Sequence, residues 1–252
     1  MRNIGRRLSE AKSARAFAFE VGVVVVGVLI ALGAQELVDD WTWQRKADAG
    51  EDMLRQEAAD GSLYLVEQVV TVPCVIAQID RLSDKLKTGG PWKGAATYPS
   101  VAGDMVIRAP SRSMVDTAWQ SLVNDGTAVH FDDERRHLTS SYYRASTSLD
   151  ELLDQTETLR ARLNVAAVPL TLGADSRFLL LQTLGDLRYR TLMQKLVALQ
   201  MLESLRQLGR LPPREQLNAQ LAAIPRASTI GECRAQGLPL GNWERELAKR
   251  SS

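Results

Sequence analysis

The chain has 252 residues and a formal net charge of +1, from 31 Lys and Arg against 30 Asp and Glu. Charge is nearly balanced outside the first 35 residues, which argues against nucleic-acid binding because that function needs a concentrated basic surface. Only two histidines and two cysteines are present, so the composition offers few ligands for a metal centre, and we expect no cofactor.

The N-terminal region predicts a membrane anchor with a defined orientation. Residues 1–16 form a basic arm, and residues 21–34 contain no polar side chain. An acidic stretch with Trp41 and Trp43 follows. Because cationic residues are retained on the cytoplasmic side and aromatic rings settle at the headgroups, the N-terminus is expected inside and the body outside.

The length of the anchor decides how its two carboxylates are interpreted. A bilayer core of about 30 Å needs about 20 mostly apolar residues, so we assign 17–38 to the span. This range includes Glu20 and Glu36. Glu20 lies about one turn inside. There it either reaches back to the headgroups or pairs with Arg15 or a neighbouring basic residue, or else it meets a charge on another transmembrane helix.

Two further features of the anchor bear on partners and processing. Gly27 and Ala31 form a small-xxx-small pair that lets two helices approach closely, so with Glu20 they are candidate contacts for a membrane partner. A cleaved signal peptide is the competing interpretation, with Ala31 and Gly33 at the small positions of the cleavage site. The apolar pattern continues through Val38 without a breaker, which favours an uncleaved anchor.

The next segment predicts a long helix with a coiled-coil-like seam. Its apolar residues follow a seven-residue spacing from Leu54 to Leu86, which is typical of a helix that packs along one side. Pro73 interrupts it, so we expect a bend at Val72 or a restart of the helix. Continuity with the anchor would make this helix a stalk. The stretch 91–110 is irregular, and we consider it a candidate binding surface or a plain surface connection.

Helical patterns dominate the remainder of the chain. We predict a short helix at 113–123, a helix from Asp132 or Asp133 to Leu163, and a very apolar helix at 177–208 placed centrally in the bundle. A short helix at 213–224, an irregular tail and one or two turns at 243–249 follow. The predicted fold is all-α: a single transmembrane helix continuing into a long stalk helix, then an antiparallel helical bundle with irregular connections.

Two stretches resemble a broad group of uncharacterised bacterial membrane proteins. The sequence 20–35, followed by Trp41, resembles an anchor with Glu, a V/I-G-x-L-I-A-L core, Gln and Trp. The sequence 117–126, leading into Leu138 and Tyr142-Tyr143, resembles a W/Y-x-x-L-x-x-x-G … L-x-x-Y-Y stretch that joins two extracytoplasmic helices in that group. The resemblance implies a single-pass protein with a helical extracytoplasmic domain and no known activity.

Cys74 and Cys233 are the two cysteines of the chain. Outside the cytoplasm a disulfide between them is permitted, and it would tie the tail to the long helix. The alternative is two buried free thiols.

Motifs for catalysis are absent from the sequence. Glu134 and His137 have the Glu-x-x-His spacing of di-iron bundles, but such sites need two of these motifs and further inward glutamates. We find no nucleophile elbow and no phosphate-binding loop, and we predict neither a metal site nor an enzyme.

A ligand pocket within the bundle is a further candidate site, and its members are Trp119, Tyr142, Tyr189 and Arg188. Core packing is the alternative for the aromatic residues. Arg188 and Arg190 lie on the most apolar helix, where charges must pair or face an opening. We expect them to meet Asp150, Asp154 or Glu157, or to face a cavity that suits an anion.

The sequence therefore predicts a protein of the bacterial inner membrane with a cytoplasmic arm (1–16), an anchor (17–38) and a periplasmic domain (39–252). Its expected function is an interaction or scaffold module, with the lipid bilayer, another membrane or envelope protein, or a second copy as partners. One alternative is an extracytoplasmic small-molecule sensor that signals through a membrane partner. A second is a secreted helical domain released from a signal peptide.

Overall fold

A computed structural model describes residues 4–100 and 103–251, with side chains from residue 19 to residue 250. The chain divides into two compact units, Met1–Gly50 and Glu51–Ser252. The architecture is mostly helical: a long, apolar first helix precedes an antiparallel bundle, which confirms the all-α fold class. The side chains of the basic arm lie outside the described residues.

The described residues of the first unit belong to helix α1, which covers Ile4–Lys87. From Phe19 this helix is long and apolar enough to cross a membrane: its most apolar window has a mean hydropathy of 2.3 and none of it is buried. A signal sequence has the same properties. Just after this stretch, Cζ of Arg45 lies 4.5 Å from the ring centroid of Trp41, and Nζ of Lys46 lies 4.2 Å from the ring centroid of Trp43.

In the second unit, α1 carries the predicted seam. The residues at one heptad position are all buried: Ala58, Leu65, Val72, Ile79 and Leu86. The helix continues through Pro73 without a restart. Pro73 has no N–H, which removes the usual helical donor to the carbonyl of Val69. The N–H of Gly241 donates to the neighbouring carbonyl of Val70 at 2.8 Å. A Cβ at Gly241 would lie 3.5 Å from the Pro73 ring, so the tail approaches the helix closely here.

The irregular stretch after α1 contributes one strand to a small two-stranded sheet that the sequence does not predict. Strand β1 (Trp92–Lys93) pairs antiparallel with β2 (Pro169–Leu170), with Trp92 opposite Leu170 and Lys93 opposite Pro169. The indole N–H of Trp92 donates to the carbonyl of Ala166 at 2.9 Å. Strands of two residues are too short to show an alternating pattern in the sequence. Their pairing also joins segments that are far apart along the chain.

Helices α2 and α3 follow at Thr117–Asn124 and Asp133–Leu163, with a 3₁₀ turn between them at Thr127–His130. The side chain of Asp132 caps α3 by accepting from the N–H of Arg135 at 2.8 Å. Helix α2 begins four residues later than predicted. Its first turn is fixed by the carboxylate of Glu57, which accepts from the N–H of Ala118 at 2.9 Å.

Helix α4 covers Ala174–Gln207 and packs antiparallel against α3. One of its faces is buried, with leucines such as Leu184, Leu187 and Leu202 in the core. The prediction that α4 lies at the centre of the bundle is wrong, because large apolar residues on its other face are exposed. The helix is apolar around its circumference although only one side is covered.

Three short helices complete the second unit: α5 (Arg214–Ala223), α6 (Thr229–Ala235) and α7 (Trp243–Ser251). Helix α6 was expected to be irregular. Ser228 caps it by accepting from the N–H of Gly231 at 3.0 Å, and Cys233 joins it to Cys74 of α1 by a disulfide with a Cα–Cα distance of 6.0 Å.

Candidate functional site

The four residues of the predicted bundle pocket do not all come together: Trp119 and Tyr142 both contact Tyr143, whereas Arg188 and Tyr189 are exposed on α4. Trp119 stacks on Tyr143 with ring centroids 5.7 Å apart, and Tyr142 meets Tyr143 edge-on at 5.0 Å. Tyr189 is 63% exposed. Arg188 forms an ion pair with Asp80 on the surface instead of facing a cavity.

Arg190, the other arginine that the sequence singled out on α4, also forms a hydrogen bond at the surface. Arg190 donates to the side-chain oxygen of Gln155. Within the described residues, Asp150, Asp154 and Glu157 are therefore not the partners of Arg188 or Arg190. Asp150 instead accepts from the N–H of Met114 at 3.0 Å.

The aromatic cluster rests on a closed polar network around Glu57. Its carboxylate accepts from the hydroxyl of Tyr143 at 2.5 Å, from the hydroxyl of Thr117 at 3.1 Å and from the N–H of Ala118 at 2.9 Å. Burial and this hydrogen bond raise the pKa of Tyr143, so the phenol stays protonated. The network satisfies its members and fixes α2 against α1 and α3.

A cleft in the second unit gathers charged groups that the sequence leaves far apart. It has a volume of about 800 Å³ and opens between α1, the connection 105–112, α3 and the α5–α6 turn. Its charged and phenolic lining consists of Tyr64, Glu67, Arg108, Arg112, Glu157 and Arg160.

Arg160 is the most buried charge in this cleft, with 3% of its side chain exposed. Its two terminal nitrogens donate to the carbonyl of Ala109 at 3.0 Å and to the carboxylate of Glu157, while its buried Nε has no partner. Burial, together with the nearby positive charge of Arg108, lowers the pKa of Arg160 to about 10. The guanidinium is therefore short of compensating negative charge.

The other charges of the cleft do not compensate one another fully. Among the described residues, Arg108 donates to two backbone carbonyls, those of Pro99 and Ala227, and to no carboxylate. Arg112 is exposed, with its guanidinium 6.0 Å from the ring of Tyr64. Burial raises the pKa of Glu67 despite the attraction of Arg108 and Arg112. Arg112 and Arg108 thus attract the carboxyl of Glu67, whose pKa is nevertheless raised, and Arg160 pairs with Glu157, which is half exposed.

A second unusual surface is the outer face of α4, which we define as Phe178, Gln182, Gly185, Tyr189, Leu192 and Leu196. All six residues are exposed, at alternating spacings of four and three residues. Phe178 is 66% exposed and nothing lies within 4 Å of a Cβ at Gly185. The face extends over about 27 Å of helix. An exposed apolar stripe of this kind is typical of an interaction surface.

The candidate contacts in the anchor lie on an open part of α1. Glu20, Gly27 and Ala31 are exposed, and a Cβ at Gly27 would meet nothing within 4 Å. Within the first unit, this small-residue surface is thus open to the approach of a helix from another chain.

Sequence reasoning missed the arginine-lined cleft because its members come from four separate segments. The one available signal was the irregular stretch 91–110, which the sequence presents as a candidate binding surface. This stretch contributes Arg108 to the cleft. The described residues include no group of three or more His, Cys, Asp or Glu side chains arranged for a metal ion.

No family model, curated protein or solved structure matches the chain. The resemblance of the anchor to uncharacterised membrane proteins therefore stays a prediction.

Proposed function

We propose that this chain is a single-pass protein of the bacterial inner membrane whose extracytoplasmic domain is an interaction module. In this proposal the N-terminus is cytoplasmic, the anchor is retained, and the outer face of α4 binds a second copy of the chain. The observation that carries it is the exposed apolar stripe on α4, which the rest of the second unit leaves uncovered.

The topology is supported by charge and redox chemistry. Cationic residues precede the apolar stretch, and Trp41 and Trp43 follow it, which is the order expected for an inside N-terminus. A disulfide joins Cys74 to Cys233 in the second unit. Because disulfides persist mainly outside the cytoplasm, this bond supports an extracytoplasmic domain.

The spacing of the outer face of α4 favours a helix as its partner. Alternation of four and three residues keeps the six positions on one seam, and four of them carry a large apolar or aromatic side chain, which is the pattern that packs against a like seam. Tyr189 and Leu192 supply apolar area at its middle, and Gly185 lets a second backbone approach closely. An apolar stripe of this kind is stabilised by removal from water.

A second copy is the partner that these properties favour. Every copy presents the same face, and a two-fold interface uses one patch on both subunits. Anchors in one membrane hold copies at high effective concentration, so a modest interface suffices. The exposed Gly27 and Ala31 in the anchor offer a second place of contact between the same two chains.

The test is chemical crosslinking of the full-length protein in its membrane, followed by mass spectrometry. We expect a crosslinked species of twice the monomer mass. Leu192→Glu should abolish it, because a charge would be buried in the apolar seam. The matched control is Ser148→Glu, which adds the same charge at an exposed position of α3 and should leave the dimer intact.

Other outcomes separate the alternatives. A stoichiometric partner of a different mass, without self-crosslinks, would show that the face binds another membrane or envelope protein. Absence of any crosslinked species would overturn the interaction module. A mature protein that begins after Gly33 would assign the anchor to a signal peptide and the domain to the secreted fraction.

The arginine-lined cleft favours a second candidate function, an extracytoplasmic small-molecule sensor. Such a sensor would signal through the transmembrane helix of a partner. Glu20 would then contribute to that contact.

A further inference from the structure

The geometry points to the arginine-lined cleft as a binding site for a small organic anion that presents a carboxylate or phosphate group beside an apolar portion. This inference names the ligand class of the sensor, the second candidate function. It does not depend on the outer face of α4, because none of the residues of that face lines the cleft.

The balance of charge in the cleft favours an anion. Arg108, Arg112 and Arg160 all line it. Of these three arginines, only Arg160 forms an ion pair with a described residue, and its partner is Glu157. Arg108 is buried with neutral carbonyls as its hydrogen-bond partners. Buried cations are normally paired, so an incoming anion would complete a site that the chain leaves short of negative charge.

The hydrogen-bonding capacity of Arg160 is also incomplete. Its Nε is buried and has no acceptor, whereas most buried polar atoms in proteins have one. Glu157 is 46% exposed and lines the cleft, so a ligand can reach the outer side of this ion pair. A guanidinium presents its donors in a planar fork that matches the oxygens of carboxylate and phosphate groups.

The shape of the cleft adds a requirement for an apolar portion. Beside the charged groups, its walls include the apolar residues Leu63, Ala109, Pro110, Ala223, Ile224 and Pro225. A volume of about 800 Å³ lies within the range of about 300–1,000 Å³ that is typical of small-molecule sites. An aromatic or branched acid would place its anion on the arginines and its apolar part on these walls.

The experiment measures thermal unfolding of the full-length protein in detergent micelles at constant ionic strength. The probes are phenyl phosphate and benzoate, with benzylamine as the cation of matched shape. Phenyl phosphate or benzoate should raise the midpoint in a dose-dependent way, since a ligand that binds only the folded state stabilises it. Benzylamine should not. A response to one anion alone identifies the group that the site accepts.

Variants then assign the response to the cleft. Arg112→Ala should weaken the apparent affinity about tenfold, the usual scale for loss of a hydrogen bond to a charged group. Its side chain is exposed, so the fold should survive. Arg162→Ala removes an exposed arginine of α3 outside the cleft and should leave the affinity unchanged. Arg160→Lys keeps the charge but loses the planar fork, so it should also weaken binding.

Two results would overturn the inference: no shift with either anion, or equal affinity in the parent and Arg112→Ala. Leu192→Glu separates this site from the dimer. That variant should lose the crosslinked dimer and keep the response to the anion, so failure of one proposal is visible while the other stands.

Discussion

Arg210, just beyond the end of α4, forms a two-pronged ion pair with Glu51 at the start of the second unit. The Nε of Arg210 donates to Oε1 of Glu51 at 2.8 Å, and a terminal nitrogen donates to the other carboxylate oxygen. The remaining terminal nitrogen donates to the hydroxyl of Thr139 on α3 at 2.9 Å. One buried side chain thereby joins α1, α3 and the connection that follows α4.

Removal of this arginine should be among the most destabilising single changes on a polar side chain. Arg210→Ala leaves Glu51 with the exposed Arg55, 3.9 Å away, in place of its close buried partner, and loss of one member of a buried pair costs about 3 kcal/mol of unfolding free energy. Denaturant titration of the full-length protein measures it. Arg214→Ala removes an arginine that is 62% exposed, and it should cost less than about 1 kcal/mol. Equal losses in both variants would contradict the structural role of Arg210.

The disulfide should contribute strongly to stability because it closes a long loop. Cys74 and Cys233 are separated by 159 residues, for which the chain-entropy model gives about 5 kcal/mol. We expect reductant to lower the unfolding midpoint of the parent but not that of the Cys74→Ser, Cys233→Ser double variant. A parent that melts at the same temperature with and without reductant would show that the bond contributes nothing.

The long helices were predictable because local pattern and packing agree in them. The heptad residues from Ala58 to Leu86 are buried as their spacing requires, and Asp132 caps α3 where the sequence places its start. At Pro73 the sequence left a bend or a restart open. The structure keeps the helix continuous, and Gly241, far along the chain, packs against this turn and donates to the carbonyl of Val70, a contact that no local rule predicts.

The arginine-lined cleft was not predictable because its charges share no local pattern. Glu67, Arg108, Arg112 and Arg160 lie on three different segments, and each would be solvated on an isolated helix or loop. The prediction that α4 lies at the centre of the bundle failed for a related reason. An apolar circumference cannot tell a helix that is buried on all sides from one with an uncovered apolar face, as exposed Phe178 and Tyr189 illustrate.

The hydroxyl of Tyr143 should have a measurable structural role. Tyr143→Phe removes a donor to the carboxylate of Glu57, and hydrogen bonds to charged groups contribute about 1.5–3 kcal/mol. We expect the unfolding free energy to fall by about 1.5 kcal/mol. Tyr189→Phe makes the same chemical change on an exposed ring and should have no effect. If the two variants are equally stable, the network around Glu57 does not hold the aromatic cluster.

Glu20 should matter in the membrane and not in the folded second unit. Glu20→Gln keeps the shape but removes a charge whose burial in lipid requires a partner, so crosslinking of the anchored protein should weaken. Thermal unfolding of the domain should not change. Glu36→Gln lies at the outer edge of the apolar stretch and provides the control. Unchanged crosslinking in Glu20→Gln would remove Glu20 from any contact between anchors.

Glu67 should make stability depend on pH in a direction opposite to most carboxyl groups. Burial raises its pKa in the folded state above the ordinary value near 4.5, and the attraction of Arg112 and Arg108 only partly offsets this. The folded protein therefore holds this proton more tightly than the unfolded chain does. Its contribution to stability is complete below the unfolded pKa and is lost as pH rises through the folded pKa.

Glu67→Gln removes this dependence because an amide does not ionise. At pH 7 the variant should melt at a higher temperature than the parent, and at pH 4, where the parent carboxyl is protonated, the two should converge. Asp84→Asn is the matched control, since that carboxylate is exposed and should give no such convergence. A parent that is more stable than Glu67→Gln at pH 7 would mean that the arginines outweigh burial. The cleft would then carry less excess positive charge, and the affinity for an anion should fall accordingly.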